Sequence, residues 1–235
     1  MGSKISSAIA KARAMQGSMA ARLKAISDAY DQEIPDYVQA LDQFVDRLRQ
    51  AQAGAHSPEV GDVFPDFTLP DARGRLWNLD RWLAKGPLVL SFHRGTWCDF
   101  CQLNMQSLGE IEPRITALGG QILAVVAQKA GPNAAFDRDA ASTFPILRDV
   151  GLGVSTMLGL TCLVGESLRH ELEALQIDLD AANGGAGWLV PIPATFILNT
   201  DGQVIARHVD PDPRSRIEGE AIVQAAIACQ SPARS

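Results

Sequence analysis

The residues best suited to do chemistry stand in one string, Phe92-His93-Arg94-Gly95-Thr96-Trp97-Cys98-Asp99-Phe100-Cys101. It places a Cys-x-x-Cys where an apolar strand pattern ends and a helical pattern begins. Residues three apart on a first helical turn share one face, near enough for a disulfide closing a small loop. The unpaired N–H groups and positive dipole end of that helix favour a thiolate, the nucleophilic form of cysteine. Arg94 adds a permanent cation and His93 a titratable one, with strand alternation sending these two neighbours in different directions. Asp99 opposes them with negative charge. Cys98 and Cys101 therefore read as a redox pair. The other cysteines, Cys162 and Cys229, are isolated and read as small buried hydrophobes. With no ligand spacing among His56, His93, His170 and His208, neither a zinc centre nor any other metal or cofactor is expected.

The elements that must position this pair are legible around it. Leu88-Val89-Leu90-Ser91-Phe92 and Ile122-Leu123-Ala124-Val125-Val126 have the length and continuous apolarity of buried strands. Between them Leu103, Leu108, Ile111, Ile115 and Leu118 supply the buried side of a helix that Gly119-Gly120 ends. Strand, helix and strand make a βαβ unit, and hence a parallel pair. A helix over about 133–142 and an extended piece near 144–147 follow. The stretch 192–198, a turn at Asn199-Thr200-Asp201-Gly202, and 203–209 read as an antiparallel hairpin. A last helix runs over about 218–229. The long connection 151–188 carries its own helical stretch near 166–175 and reads as an insertion.

Before the first strand the grammar is helical. Met15, Met19, Leu23, Ile26 and Tyr30 recur at helical spacing, and after Pro35 so do Tyr37, Leu41, Phe44 and Leu48. Residues 1–57 thus form a helical extension and linker, and 58–230 the main domain. An amphipathic stripe announces only that it must be covered, either by the chain's own core or by a second copy in a homodimer. The chain has 235 residues and a formal charge of -6. That balance disfavours nucleic-acid and anionic-membrane surfaces. With neither a signal-peptide core nor an apolar run of about 20 residues, the expectation is a soluble, cytoplasmic protein.

Three strings together resemble the alkyl hydroperoxide reductase and thiol-specific antioxidant superfamily, the peroxiredoxins and their thioredoxin-like relatives. They are Val60-Gly61-Asp62-Val63-Phe64-Pro65-Asp66-Phe67-Thr68-Leu69-Pro70, the motif from Arg94 to Cys101, and Pro193-Ala194-Thr195-Phe196-Ile197 with its hairpin. The Arg-Gly-x-Trp-Cys-x-x-Cys form and Val209-Asp210-Pro211-Asp212 are similar to a peroxiredoxin-like subgroup. The resemblance implies an α/β thioredoxin-like fold, a central mixed sheet flanked by helices. It also makes Arg94, Thr96 and Trp97 candidate catalytic residues beside the cysteines. Ile192 and Pro193 become candidate substrate-binding residues, with a cis Ile192-Pro193 bond that leaves backbone groups free to pair with an incoming chain.

Two alignments give two activities. On the peroxiredoxin pattern Pro-x-x-x-Thr-x-x-Cys, Cys101 falls at the peroxidatic position, Cys98 at the threonine and Arg94 at the proline. On thioredoxins, Cys98 becomes the exposed attacking thiol and Cys101 the buried resolving one. The first reading is a thiol peroxidase reducing hydrogen peroxide or organic hydroperoxides; the alternative is a protein thiol-disulfide oxidoreductase. Either needs a reductant such as a thioredoxin or glutathione system.

Overall fold

The computed structural model describes residues 3–129 and 144–229. The helix expected over 133–142 lies outside the described residues. In chain order the elements are α1 (Ser3–Ala14), α2 (Met19–Glu33), α3 (Pro35–Gln50), β1 (Thr68–Pro70), β2 (Leu76–Asn78), α4 (Leu79–Leu83), β3 (Leu88–His93), α5 (Asp99–Ala117) and β4 (Gln121–Val126). There follow β5 (Ile146–Arg148), α6 (Gly153–Met157), β6 (Thr161–Leu163), α7 (Glu166–Ala174), α8 (Leu179–Ala182), β7 (Leu189–Pro191), β8 (Ala194–Leu198), β9 (Val204–Val209) and α9 (Gly219–Ala228).

The central sheet has the order β5-β4-β3-β8-β9. β3 runs parallel to β4 and antiparallel to β8, so the sheet is mixed and flanked by helices, as expected of a thioredoxin-like fold. Every residue of β3 is buried, which is why its sequence is apolar apart from Ser91 and His93. α5 makes the crossover to β4, and Gly119 (φ +72°) supplies the left-handed residue that ends its last turn. Phe196 on β8 is fully buried and meets Phe64 and Phe92 edge to face, with ring centroids 5.0 and 6.3 Å away.

The N-terminal stripe is covered by the chain itself. Met19, Leu23, Ile26 and Tyr30 are buried, and α2 packs on α5. Met15 is not part of that face: the chain breaks at 15–18, where Ser18 caps α2 by accepting from the Ala21 N–H at 3.2 Å. Arg22 welds the break. Its Nε donates to the Ala12 carbonyl at 3.0 Å, an otherwise orphaned helix end, and its guanidinium forks onto Glu110 of α5 at 2.8 and 3.0 Å. Among the described residues, no helix is long and apolar enough to cross a membrane.

Residues 189–193 correct one expectation. No peptide bond among the described residues is cis, so Ile192–Pro193 is trans. The trans form is favoured by about 0.5–1 kcal/mol, and this backbone is already engaged. β7 pairs with β6, the Ile192 N–H donates to the Leu160 carbonyl at 2.6 Å, and the Pro193 carbonyl accepts from the Asp210 N–H at 3.4 Å. These groups are not free for an incoming chain. Truncating Phe196→Ala should cost about 3–5 kcal/mol, read as a lower urea midpoint with an unchanged slope.

Candidate active site

Cys98 is the N-cap of α5, and its Sγ accepts from the Cys101 N–H at 3.4 Å. The approach loop 94–98 is held by Thr96, whose N–H and hydroxyl both donate to Gln128 Oε1, at 2.8 and 2.7 Å. Its carbonyl accepts from Gln102 at 2.6 Å. Thr96 is thus a loop anchor and bonds to neither sulfur. Gly95 sits at φ +147°, and a Cβ there would lie 2.7 Å from the Trp97 indole nitrogen, so glycine is required on both counts. The Trp97 ring lies against the Arg94 guanidinium, 4.9 Å from its carbon to the ring centroid.

Each sulfur has its own cation. Arg94 Nη2 donates to Cys98 Sγ at 3.1 Å, and Arg216 Nη2 approaches Cys101 Sγ at 3.7 Å from the loop before α9. Alternation at the end of β3 does separate the neighbours: His93 turns to Cys101 and Arg94 to Cys98. Arg216 was not singled out in the sequence, where it stands 115 residues from Cys101. Its loop is built by the nearby Asp-Pro-Asp. The Arg214 guanidinium bridges Asp212 at 2.8 Å and Asp42 of α3 at 2.6 Å, so an N-terminal helix helps to hold it.

Both thiols are buried, Cys98 at 3% exposure and Cys101 at 0%. The expectation of an exposed Cys98 is therefore corrected, because α1, α2 and α3 lie over it. Burial alone raises a thiol's pKa. Burial and a hydrogen bond shared with Cys101 push Cys98 well above the ordinary thiol value, against the pull of Arg94. Burial acts on Cys101 too, but hydrogen bonds from Cys98 and His93 and the Arg216 and Arg94 charges outweigh it, and its thiol lies well below the ordinary value. These opposite directions make Cys101 the sulfur of the pair that ionises first. Burial keeps the His93 ring below its usual value and hence neutral at pH 7.

Asp99, expected to set a negative charge beside the sulfurs, instead accepts a 2.5 Å hydrogen bond from Tyr30 of α2. Burial raises its carboxyl above the usual range. Tyr37 of α3, pushed up to about 12 chiefly by burial, stands beside Arg94. A narrow, mostly apolar cavity over Cys98 is lined by Ile5, Tyr30, Ile34, Tyr37, Arg94 and Trp97 among others, and has room for about one or two waters. Ile192 and Pro193 do not line it; the register pairing Phe92 with Ala194 sets Pro193 beside His93. Cys162 is a buried thiol that donates to the Val190 carbonyl at 3.3 Å, and Cys229 is half-buried. Among the described residues no His, Cys, Asp and Glu cluster fits a metal ion.

The AhpC/TSA family profile matches residues 60–207, a stretch that holds both cysteines, Arg94 and the β8–β9 hairpin. The chain belongs to the AhpC/TSA family. Over 146 residues it is 31% identical to thiol-disulfide oxidoreductase ResA of Geobacillus kaustophilus, covering 62% of this chain and 66%, just under two thirds, of that relative. It is 25% identical to ResA of Bacillus cereus over 164 residues, 68% and 76% of the two chains. Among solved structures, the peroxidoxin BcpB of Mycobacterium tuberculosis superposes with a TM-score of 0.57 at 20% identity, covering 74% of this chain and 99% of that one. Peroxiredoxin 6 of Arenicola marina gives 0.58 at 16%, covering 75% and 79%. The likeness to these solved structures shows the fold of the matched domain.

If Arg216 holds the charge on Cys101, then Arg216→Met should move the first thiolate step in the 240 nm absorbance to higher pH. Losing the cation penalises the charged form, so the step rises, by about one unit or more.

Proposed function

We propose that this AhpC/TSA protein is a dithiol–disulfide oxidoreductase in which Cys98 attacks and Cys101 resolves. The observation that carries this reading is the unequal placement of the sulfurs. Cys98 lines the cavity with Arg94 bonded to it, while Cys101 lies behind it between His93 and Arg216. The ResA relatives support the same reading.

The proton arrangement fits the order of events. Cys98 passes its proton to Cys101 as its sulfur attacks one sulfur of a substrate disulfide; the substrate S–S bond breaks, and the departing thiolate takes a proton from solvent. Arg94 stabilises the charge arriving on Cys98. Cys101 then gives up its proton to the second leaving group and attacks Cys98 Sγ, closing the Cys98–Cys101 disulfide. The substrate gains two electrons and two protons and leaves as two thiols. One thioredoxin-type dithiol, or two glutathione-type thiols that leave as their disulfide, restores the pair.

Peroxide is the second reading, favoured by the narrowness of the cavity. There the Cys98 thiolate would attack the O–O bond and become a sulfenic acid while water or an alcohol leaves; Cys101 would then displace the second oxygen as water. Arg94 would stabilise the departing oxygen. The first reading predicts that Cys101→Ser accumulates a mixed disulfide on Cys98 when mixed with a model disulfide, seen by mass spectrometry, and that Cys98→Ser does not. Thiol loss to hydrogen peroxide much faster than that of free cysteine would move the assignment to the second.

A further inference from the structure

A disulfide reacts only when the attacking sulfur lines up with its S–S bond, yet Cys98 is 3% exposed beneath a cavity the size of one or two waters. Its cover includes Ile5, Tyr30, Ile34 and Tyr37, from α1 to α3, and Leu175 and Ile177 also line the cavity. The first four precede residue 60, so this cover lies outside the stretch matched to the family.

Besides the Arg22 fork onto Glu110, α2 is tied down at its opposite ends. At the C-terminal end the Tyr30 hydroxyl donates to Asp99 Oδ2 at 2.5 Å, on the residue next to the attacking cysteine. At the N-terminal end the Met19 and Ala20 N–H groups donate to the Glu218 carboxylate, at 2.8 and 3.1 Å. Glu218 sits at the start of α9, two residues after Arg216. The apolar face of α2 is fully docked, so the helix moves as a unit or not at all.

We infer that the N-terminal helices are a size filter over Cys98, with Tyr30 as its specificity-determining residue. Compact disulfides reach the sulfur by displacing side chains of the roof alone. A disulfide held in a folded protein reacts only when α2 lifts from α5. The filter rests on the disulfide-exchange reading above and deepens it by naming the favoured substrate class, low-molecular-weight disulfides.

The test measures how fast two disulfides, 2-hydroxyethyl disulfide and insulin, oxidise the prereduced full chain, with dithiothreitol as an unroofed reference. The ratio of the two rates cancels any change in the intrinsic reactivity of Cys98. The filter predicts a wild-type preference for the small disulfide at least about tenfold above that of dithiothreitol. Removing one hydrogen bond to a carboxylate in Tyr30→Phe, or weakening the Glu218 tie in Glu218→Gln, should cut that preference by roughly tenfold. If one variant fails to fold by circular dichroism, the other carries the test. A wild-type ratio equal to that of dithiothreitol overturns the filter and leaves the exchange reading standing, as does an unchanged ratio in the folded variants. If neither disulfide oxidises the wild type, the exchange reading falls and the filter with it.

Discussion

Ionising one of two buried sulfurs is the constraint around which this site is built. A thiolate taken out of water costs several kcal/mol unless opposite charge and hydrogen bonds replace the solvent. Here two guanidiniums do so, Arg94 at Cys98 and Arg216 at Cys101, with a neutral His93 beside the deeper sulfur. Burial in turn raises the energetic weight of each contact, because the screening that weakens surface charges is absent.

That constraint explains why both ends of the chain converge on the middle. Arg216 comes from the loop before the last helix, and that loop is pinned by Arg214 to Asp42 of α3. α2 brings Tyr30 onto Asp99, so the carboxylate next to Cys98 is answered by a hydroxyl. The sheet supplies the rest: β3 delivers His93 and Arg94, and α5 begins where the sulfurs need its N–H groups. The family-matched residues hold the dithiol with Arg94 and His93, while the N-terminal helices cover it and the C-terminal loop adds Arg216.

Much of this was legible in the sequence wherever the cause is local. The strand before the Cys-x-x-Cys, the crossover helix ended by Gly119 and the β8–β9 hairpin follow from periodicity and turn chemistry over a few residues. The pairing of Arg94 with Cys98 is four residues long and was visible as a cation beside a thiol. Tyr30 and Asp99 are 69 residues apart, and Arg216 and Cys101 are 115 apart. No spacing rule reaches that far, so the cover over Cys98 and the second cation appear only in the folded chain. The cis bond expected at Pro193 came from resemblance; the bond is trans, and the Ile192 N–H and Pro193 carbonyl beside it are paired within the chain.

The central claim is that Cys101 carries the charge and Cys98 the proton, and a site-resolved titration tests it most directly. With ¹³Cβ-labelled cysteine and the two resonances assigned, the shift of each can be followed against pH in the reduced full chain. The account predicts that Cys101 titrates first, below the ordinary thiol range, and Cys98 only above it. Titration of Cys98 first, or of both thiols together near the ordinary value, would contradict it.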